Sequence, residues 1–382
     1  MNLGALNGIT VLDLTRVLAG PFCTMILAEL GARVIKIEAP PDGDDARRYG
    51  PFVEGASAYF LSLNRGKESL VLNLKQPGDR AVFLSLAERA DVLVENFRPG
   101  TMERLGLGWP QLHERLPRLI YAAISGFGQT GPRAAQPAYD LVIQAMGGIM
   151  SLTGQPGAPP TRVGSSIGDI TAGLYCAVGI NAALYHREMT GQGMLVDVAM
   201  LDCQVAILEN ALARLAAEGS PPGPLGARHP SITPFDAFKA ADGWLVICAG
   251  NDKLFAELAG LLGRPGLAND PRFADNPSRT QNHESLKAEI EAALAVHSAE
   301  HWLVALQKAG VPCGPVNDLA QVVAEPQVAA RNMLLGMPAG KDATIKVAGN
   351  PIKLSAFADP PQRPAAPELD GDREAIFKEL ES

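Results

Sequence analysis

At 382 residues the chain is longer than one hydrophobic core usually organises, so two domains are expected. Apolar residues make up 47% and charged residues 19%, which excludes a disordered or fibrous protein. A net charge of −8 argues against nucleic acid or an anionic membrane as the main partner. The cysteines, Cys23, Cys176, Cys203, Cys248 and Cys313, are odd in number and form no CxxC pair. They read as free thiols of a reducing, cytoplasmic compartment, with neither a disulfide frame nor a metal site. No apolar run is read as long enough to span a bilayer, and Met1-Asn2-Leu3-Gly4-Ala5-Leu6-Asn7 lacks the regions of a signal peptide.

Ile9–Leu14 reads as a strand, and after a turn Pro21 can open a helix from Phe22 to Glu29, which Gly31 stops. Arg33–Glu38 is the next strand, so the unit is β-α-β with parallel strands and a right-handed crossover. The alternation recurs. Ser69–Leu74 is strand-like, Asp79–Ala90 helical, Asp91–Glu95 a strand, Gly100–Leu116 mostly helical and Leu119–Ser125 a strand. Strands apolar on both faces, such as Val92-Leu93-Val94, suit a sheet covered by helices on each side. The expectation is an α/β fold whose large domain is a Rossmann-like, doubly wound parallel sheet. The loop Thr15–Pro21 carries no G-x-G-x-x-G, and no Walker A sequence occurs, which argues against a dinucleotide or P-loop site.

Next comes Gly164-Ser165-Ser166-Ile167-Gly168-Asp169-Ile170-Thr171-Ala172-Gly173, ahead of a long apolar-periodic helix from Ile170 to about His186. Asp169 stands as an N-cap, accepting from N–H groups one turn on and kept ionised by the helix dipole. Gly164, Gly168 and Gly173 leave room for a ligand. An ionised, uncrowded carboxylate of this kind is either a plain cap or a nucleophile toward an activated acyl group.

The Pro/Gly-rich run 219–231 reads as a linker, closing a large domain over 1–218. Phe235–Lys239 and Trp244–Cys248 flank a hairpin turn, and helices follow at about 252–262, 282–295 and 299–309, the last capped by Ser298. These make a smaller α+β domain over 232–339. A strand-like stretch, Ala343–Ser355, and a last helix, Arg373–Leu380, lie in a C-terminal segment (340–382) expected to complete the large domain.

Several further stretches occur in a telling order: Leu12–Pro21, Val34–Glu38, Val94-Glu95-Asn96-Phe97-Arg98-Pro99-Gly100, Ser125–Pro132, Gly168-Asp169 and Gly310–Val316. Through them the whole chain resembles the family III CoA-transferases, which include formyl-CoA and carnitine CoA-transferases and, as a divergent branch, α-methylacyl-CoA racemase. The resemblance implies that Asp169 is the nucleophile. It would attack an acyl-CoA thioester to give an aspartyl anhydride, and the released thiolate would return to give an aspartyl-CoA thioester, with no ATP. Water must be excluded from such a site. The resemblance also places coenzyme A against Leu18, Ala19, Leu72, Asn73, Lys75, Asn96, Phe97 and Arg98, with Arg104 on the following helix. No metal is implied. Cations such as Lys75 and Arg104 at the carboxyl ends of the strands suit the phosphates of CoA.

The chain departs from the formyl enzyme in having Leu18 for a glutamine and Ala39 for an arginine, a loss that Arg47 or Arg48 can replace. The formyl enzyme's glycine-run loop is absent, its place taken by Gly226–Ser231, which argues against an oxalate-specific transferase. Tyr139-Asp140 stands where the racemases carry a His-Asp pair. Tyrosine ordinarily ionises near pH ~10, making it a poor proton shuttle, so Tyr139 reads as a hydrogen-bond donor to a substrate carbonyl. Arg16, Arg47, Arg228 and His229 are the candidates for holding the acceptor acid, a dicarboxylate needing at least one arginine. Asp44–Arg47 and His229–Phe235 look most like transferases that use succinyl-CoA with glutarate or related acids. The alternatives are an acyl-CoA racemase and a silent CoA-binding protein. The resemblance further implies an interlocked homodimer.

Overall fold

The computed structural model describes residues 4–340 and 342–381. It divides into two compact units: residues 4–151, 162–222 and 326–381 within one, and 152–161 with 223–325 within the other. The second unit thus begins inside the run read as a linker. It stops short of 326–339, and it takes in 152–161, which no composition shift marks.

In the first unit β1 (Thr10–Asp13), α1 (Ala19–Glu29) and β2 (Arg33–Glu38) form the expected crossover. Pro21 falls third in α1, not first, because the helix already starts at Ala19. A short ribbon of β3 (Phe52–Val53) and β4 (Ala56–Ser57) leads into α2 (Ala58–Asn64), whose N-terminus Ser57 caps through the Phe60 N–H. Then come β5 (Glu68–Val71), α3 (Pro77–Ala87), β6 (Val92–Glu95), α4 (Thr101–Arg104), α5 (Trp109–Arg115) and β7 (Ile120–Ser125). Gly106 and Gly108 flank Leu107 and break the helix expected to run through 100–116. Helices α6 (Asp140–Met146), α7 (Ile149–Leu152) and α8 (Ile167–Thr190) precede β8 (Leu195–Ala199), α9 (Met200–Ala206) and α10 (Ala211–Glu218).

The six strands are parallel, in the order β5-β2-β1-β6-β7-β8. Side chains alternate across the sheet. Val11, Val34, Val92, Ile120 and Val198 face α1 and α8, where Cys23, Leu27, Ala172, Cys176 and Ile180 are buried. Leu12, Ile35, Leu70, Leu93 and Tyr121 face Phe83, Leu86, Met102 and Leu112. Each such aliphatic side chain stabilises the fold by about 1.5–3 kcal/mol through burial alone. By length and composition α8 could cross a membrane, contrary to the sequence reading, but half of that stretch is buried in this core.

The second unit carries an antiparallel sheet of β9 (Phe235–Lys239), β10 (Trp244–Cys248) and β11 (Cys313–Pro315), β9 and β10 being the expected hairpin. Helices α11 (Asp252–Leu261), α12 (Asn276–Gln281), α13 (His283–Leu294), α14 (Ala299–Lys308) and α15 (Leu319–Ala324) accompany it. The chain re-enters the first unit with α16 (Pro326–Ala330), the pair β12 (Leu334–Ala339) and β13 (Ala343–Ala348), and α17 (Arg373–Leu380). Ile376 of α17 is fully buried beside Leu70 and Phe83, so the last helix docks on the parallel sheet.

Candidate active site

The sheet order turns back between β1 and β6, and ligands of doubly wound folds bind in the crevice at such a switch point. The two loops that leave these strands are tied together. The Asn96 side chain accepts the Arg16 N–H (2.8 Å) and donates to the Arg16 carbonyl (2.8 Å), while the Arg16 guanidinium lies 5.3 Å from the Phe97 ring centre. Between them Val17 adopts φ 67°, a left-handed conformation rare for a β-branched residue. Its N–H donates to Asp44 Oδ1 (3.0 Å), and Asp44 is fixed in turn by the buried Lys36 at 2.9 Å. Lys36 also donates to the Thr15 carbonyl (2.7 Å). This strained turn brings Leu18 and Ala19 to the crevice.

Two cavities meet there, sharing Arg16 and Phe97 in their walls. One, about 190 Å³, is lined by Leu72, Asn73 and Lys75, and by Ala39. The other, about 230 Å³, is lined by Leu18, Ala19, Asn96, Arg98, Tyr139 and Asp169. Arg104 lines neither, but donates to Thr101, which walls the first (3.0 Å). The residues nominated for CoA therefore converge on one continuous edge of the sheet, with the nominated nucleophile at one end.

Asp169 is not the cap of its helix. Helix α8 starts at Ile167, Asp169 is third in it, and Ser166 precedes it without a side-chain capping bond. The early N–H of Gly168 is taken from another helix, by Asp140 Oδ1 of α6 at 2.8 Å. The expected ionising effect of the helix end is overturned as well. Burial, and then the neighbouring Asp140 carboxylate, push Asp169 up to about 7. No cation pairs with it among the described residues. Two of the three glycines serve packing, not ligand access: a Cβ at Gly168 would meet Asp140 Oδ1 at 3.1 Å, and one at Gly173 the Ala19 carbonyl at 2.7 Å. Gly164 alone faces open space.

Tyr59 of α2 lies within electrostatic reach of Asp169. Burial and then Asp169 push its hydroxyl up to about 12. Nothing in the sequence signals it, because it sits in a two-turn helix after an aperiodic stretch. Asp140 was visible only as the neighbour of Tyr139, and its role in seating α8 was not. Tyr139 immediately precedes α6, is 75% exposed, and lines the cavity without capping the helix.

The remaining nominations divide between the two units. Arg47 grips Glu38 through Nε (2.8 Å) and Nη2 (2.6 Å) and lies 3.8 Å over the Phe60 ring, so it is a structural arginine. Arg48 pairs with Asp42 and with Asp45 (2.8 Å). Neither lines the cavity beside Ala39. Arg228 and His229 belong to the second unit, where the His229 ring accepts the Ser231 N–H (3.2 Å) and lies 5.4 Å from the Phe235 ring. Arg16 stays at the crevice, half exposed, with Asp45 at 3.4 Å.

The family model of CoA-transferase family III matches residues 6–373. The chain belongs to that family. It is 52% identical over 378 residues, covering 99% of this chain and 96% of the relative, to the acetyl-CoA:oxalate CoA-transferase of Acetobacter aceti. It is 39% identical over 376 residues, 98% of this chain and 86% of the relative, to the succinyl-CoA:glutarate CoA-transferase of Mus musculus. A crystal structure of a CAIB/BAIF family protein from Brucella suis superimposes with a TM-score of 0.87 at 39% identity, covering 100% of both chains. This family III protein is a transferase that moves CoA between an acyl-CoA and a carboxylic acid. The racemase and silent-binder alternatives give way to it.

Proposed function

We propose that Asp169 is the nucleophile of a CoA transfer between an acyl-CoA and a short dicarboxylate. The observation that carries this reading is a partly buried carboxylate with no cation paired to it among the described residues, at the end of a crevice walled by the residues suited to CoA. The ionised Asp169 attacks the thioester carbon, forming an aspartyl acyl anhydride and releasing CoA thiolate. The thiolate attacks the aspartyl carbon, giving an aspartyl-CoA thioester and the free donor acid. The acceptor carboxylate then displaces the thiolate, which attacks the acceptor's acyl carbon and restores Asp169. Each step exchanges one carboxylate for one thiolate, so no proton moves and no general base is required. The exposed Tyr139 fits such a scheme as a donor to a carbonyl oxygen.

Relatives acting on oxalate and glutarate support a dicarboxylate acceptor. The expectation against oxalate loses its ground with a 52% identical relative named for that acid. Arg16 and Arg98 are the guanidinium groups in the wall of the Asp169 cavity, suited to a carboxylate or to a phosphate of CoA. A homodimer is supported by the exposed apolar residues Leu174, Tyr175, Val178, Tyr185 and Met189 of α8. Free thiols throughout fit a reducing, cytoplasmic setting.

The test incubates the protein with acetyl-CoA or succinyl-CoA and a panel of acids from oxalate to glutarate, with Asp169→Ala in parallel. We expect new CoA esters, and a CoA adduct on the peptide containing residue 169, both lost in the variant with a fall of about a thousandfold or more. Exchange that persists in Asp169→Ala overturns the reading.

A further inference from the structure

The segment that delivers Asp169, residues 162–168, is held to α6 by two side chains. Asp140 takes the Gly168 N–H at its end (2.8 Å). Gln144 holds its middle: Oε1 accepts the Val163 N–H (2.9 Å), and Nε2 donates to the Ser165 carbonyl at 3.4 Å. The same Nε2 donates to Asp140 Oδ2 at 2.8 Å, so the two anchors brace each other. Other bonds within the segment are local. Arg162 donates to the Val163 (3.0 Å) and Gly164 (3.2 Å) carbonyls, and its guanidinium comes no nearer than 3.8 Å to Asp140. Gln144 is fully buried, where a leucine would fill the space without needing partners. Only a side-chain amide both accepts from one loop N–H and donates to a loop carbonyl and to a carboxylate.

We propose that Gln144 is a positioning residue of the transfer reaction, clamping residues 162–168 to α6 so that Asp169 meets the crevice in one place beside Asp140. The proposal rests on Asp169 being the nucleophile. Aspartyl transfer needs the carboxylate within attacking distance of the thioester, and misplacement by about 1 Å can cost about a hundredfold in rate. Gln144 also controls the electrostatics of the site, because its N–H neutralises part of the Asp140 charge. The titratable and charged groups around Asp169 are Asp140 from α6 and Tyr59 from α2, with Arg162 at the edge of Asp140, and Tyr139, Arg16, Arg98 and Asp45 in the wall of the same cavity.

The test compares Gln144→Leu, which keeps the volume and removes every bond, with Gln144→Glu. The glutamate keeps the acceptor for Val163 but replaces the donor with a negative charge next to Asp140. For Gln144→Leu we expect kcat to fall about tenfold to a hundredfold while KM for acyl-CoA stays within about twofold. For Gln144→Glu we expect the acidic limb of the kcat profile to move to higher pH, since a second carboxylate further disfavours ionised Asp169. A merely structural role lowers the melting temperature and leaves kcat per active site and the limb in place. That result in both variants, with Asp169→Ala inactive, overturns the clamp alone. Full exchange in Asp169→Ala overturns the nucleophile and the clamp together.

Discussion

Asp13, fully buried, and Asp169, partly buried, are both carboxylates of the first unit, and they have opposite fates. Around Asp13, Lys67 lies at 3.0 Å, the Thr24 hydroxyl donates at 2.7 Å and the Thr15 N–H at 2.9 Å, with Lys36 close by. Burial works against its ionisation, but the two lysines and the two hydroxyls outweigh it and hold the carboxyl's pKa well below the usual range. Asp169 is less completely buried, but it has a carboxylate for a neighbour and no compensating cation among the described residues, so its pKa rises to about 7. Desolvation is common to both sites. What differs is the company each carboxylate keeps, and that separates a carboxylate that supports a turn from one that can react. The compensated site lies under the Val17 turn and shapes the crevice, while the uncompensated one opens into it.

Breaking the compensated site has the largest expected effect. Lys67→Met leaves Asp13 buried beside Lys36 alone, and removing one partner of a buried pair costs about 3–5 kcal/mol. Urea unfolding at pH 7 checks this, and an unchanged midpoint would mean that Lys36 suffices. Neutralising the uncompensated site has the opposite sign. The folded value of Asp169, about 7, lies above the ordinary 3.8. Its contribution to stability is therefore present below pH about 4 and lost as pH rises through about 7. Asp169→Asn removes that loss, so it should be more stable than the parent at pH 8 by on the order of 2–4 kcal/mol, with the advantage vanishing toward pH 4. Unfolding curves at the two pH values decide it; an advantage that is equal at both would assign the effect to packing.

The contrast between these sites was only half legible in the sequence. The β-α-β alternation, the strand Arg33–Glu38, the hairpin around residues 240–243 and the final helix all follow from short-range pattern and turn chemistry, and all recur in the structure. Residues 45–66, with α2 and Tyr59, carry no period that selects an element, and the ribbon there is two residues a strand. Strand β12 was hidden by Pro338 and Gly336, which read as breaks until the partner strand β13 is placed beside them. Asp169 could be located from its glycine-rich surroundings, but not its charge state. That is fixed by burial and by Asp140 on a separate helix, and local spacing favoured the opposite sign. The pairing of Arg47 and Arg48 was hidden for a related reason: sequence spacing does not show which carboxylates an arginine meets, here Glu38, Asp42 and Asp45.

The smallest effect separates the two causes that raise Asp169. Asp140→Asn removes the neighbouring charge and retains an oxygen that can accept the Gly168 N–H, while its NH2 group no longer accepts from Gln144 Nε2. Burial, the larger cause, remains. With Asp169 as the proposed nucleophile, transfer requires it ionised, so in the parent the rate is expected to fall as pH drops through about 7. In Asp140→Asn that acidic limb should move down by about one unit, equivalent to about 1.4 kcal/mol, and stop well short of an ordinary aspartate. A pH profile of kcat/KM reads the shift directly. If the limb falls all the way to the usual range, the charge of Asp140 and not desolvation makes Asp169 unlike Asp13. If it does not move, dryness alone does, and the lysines around Asp13 become the whole of the difference between the two sites.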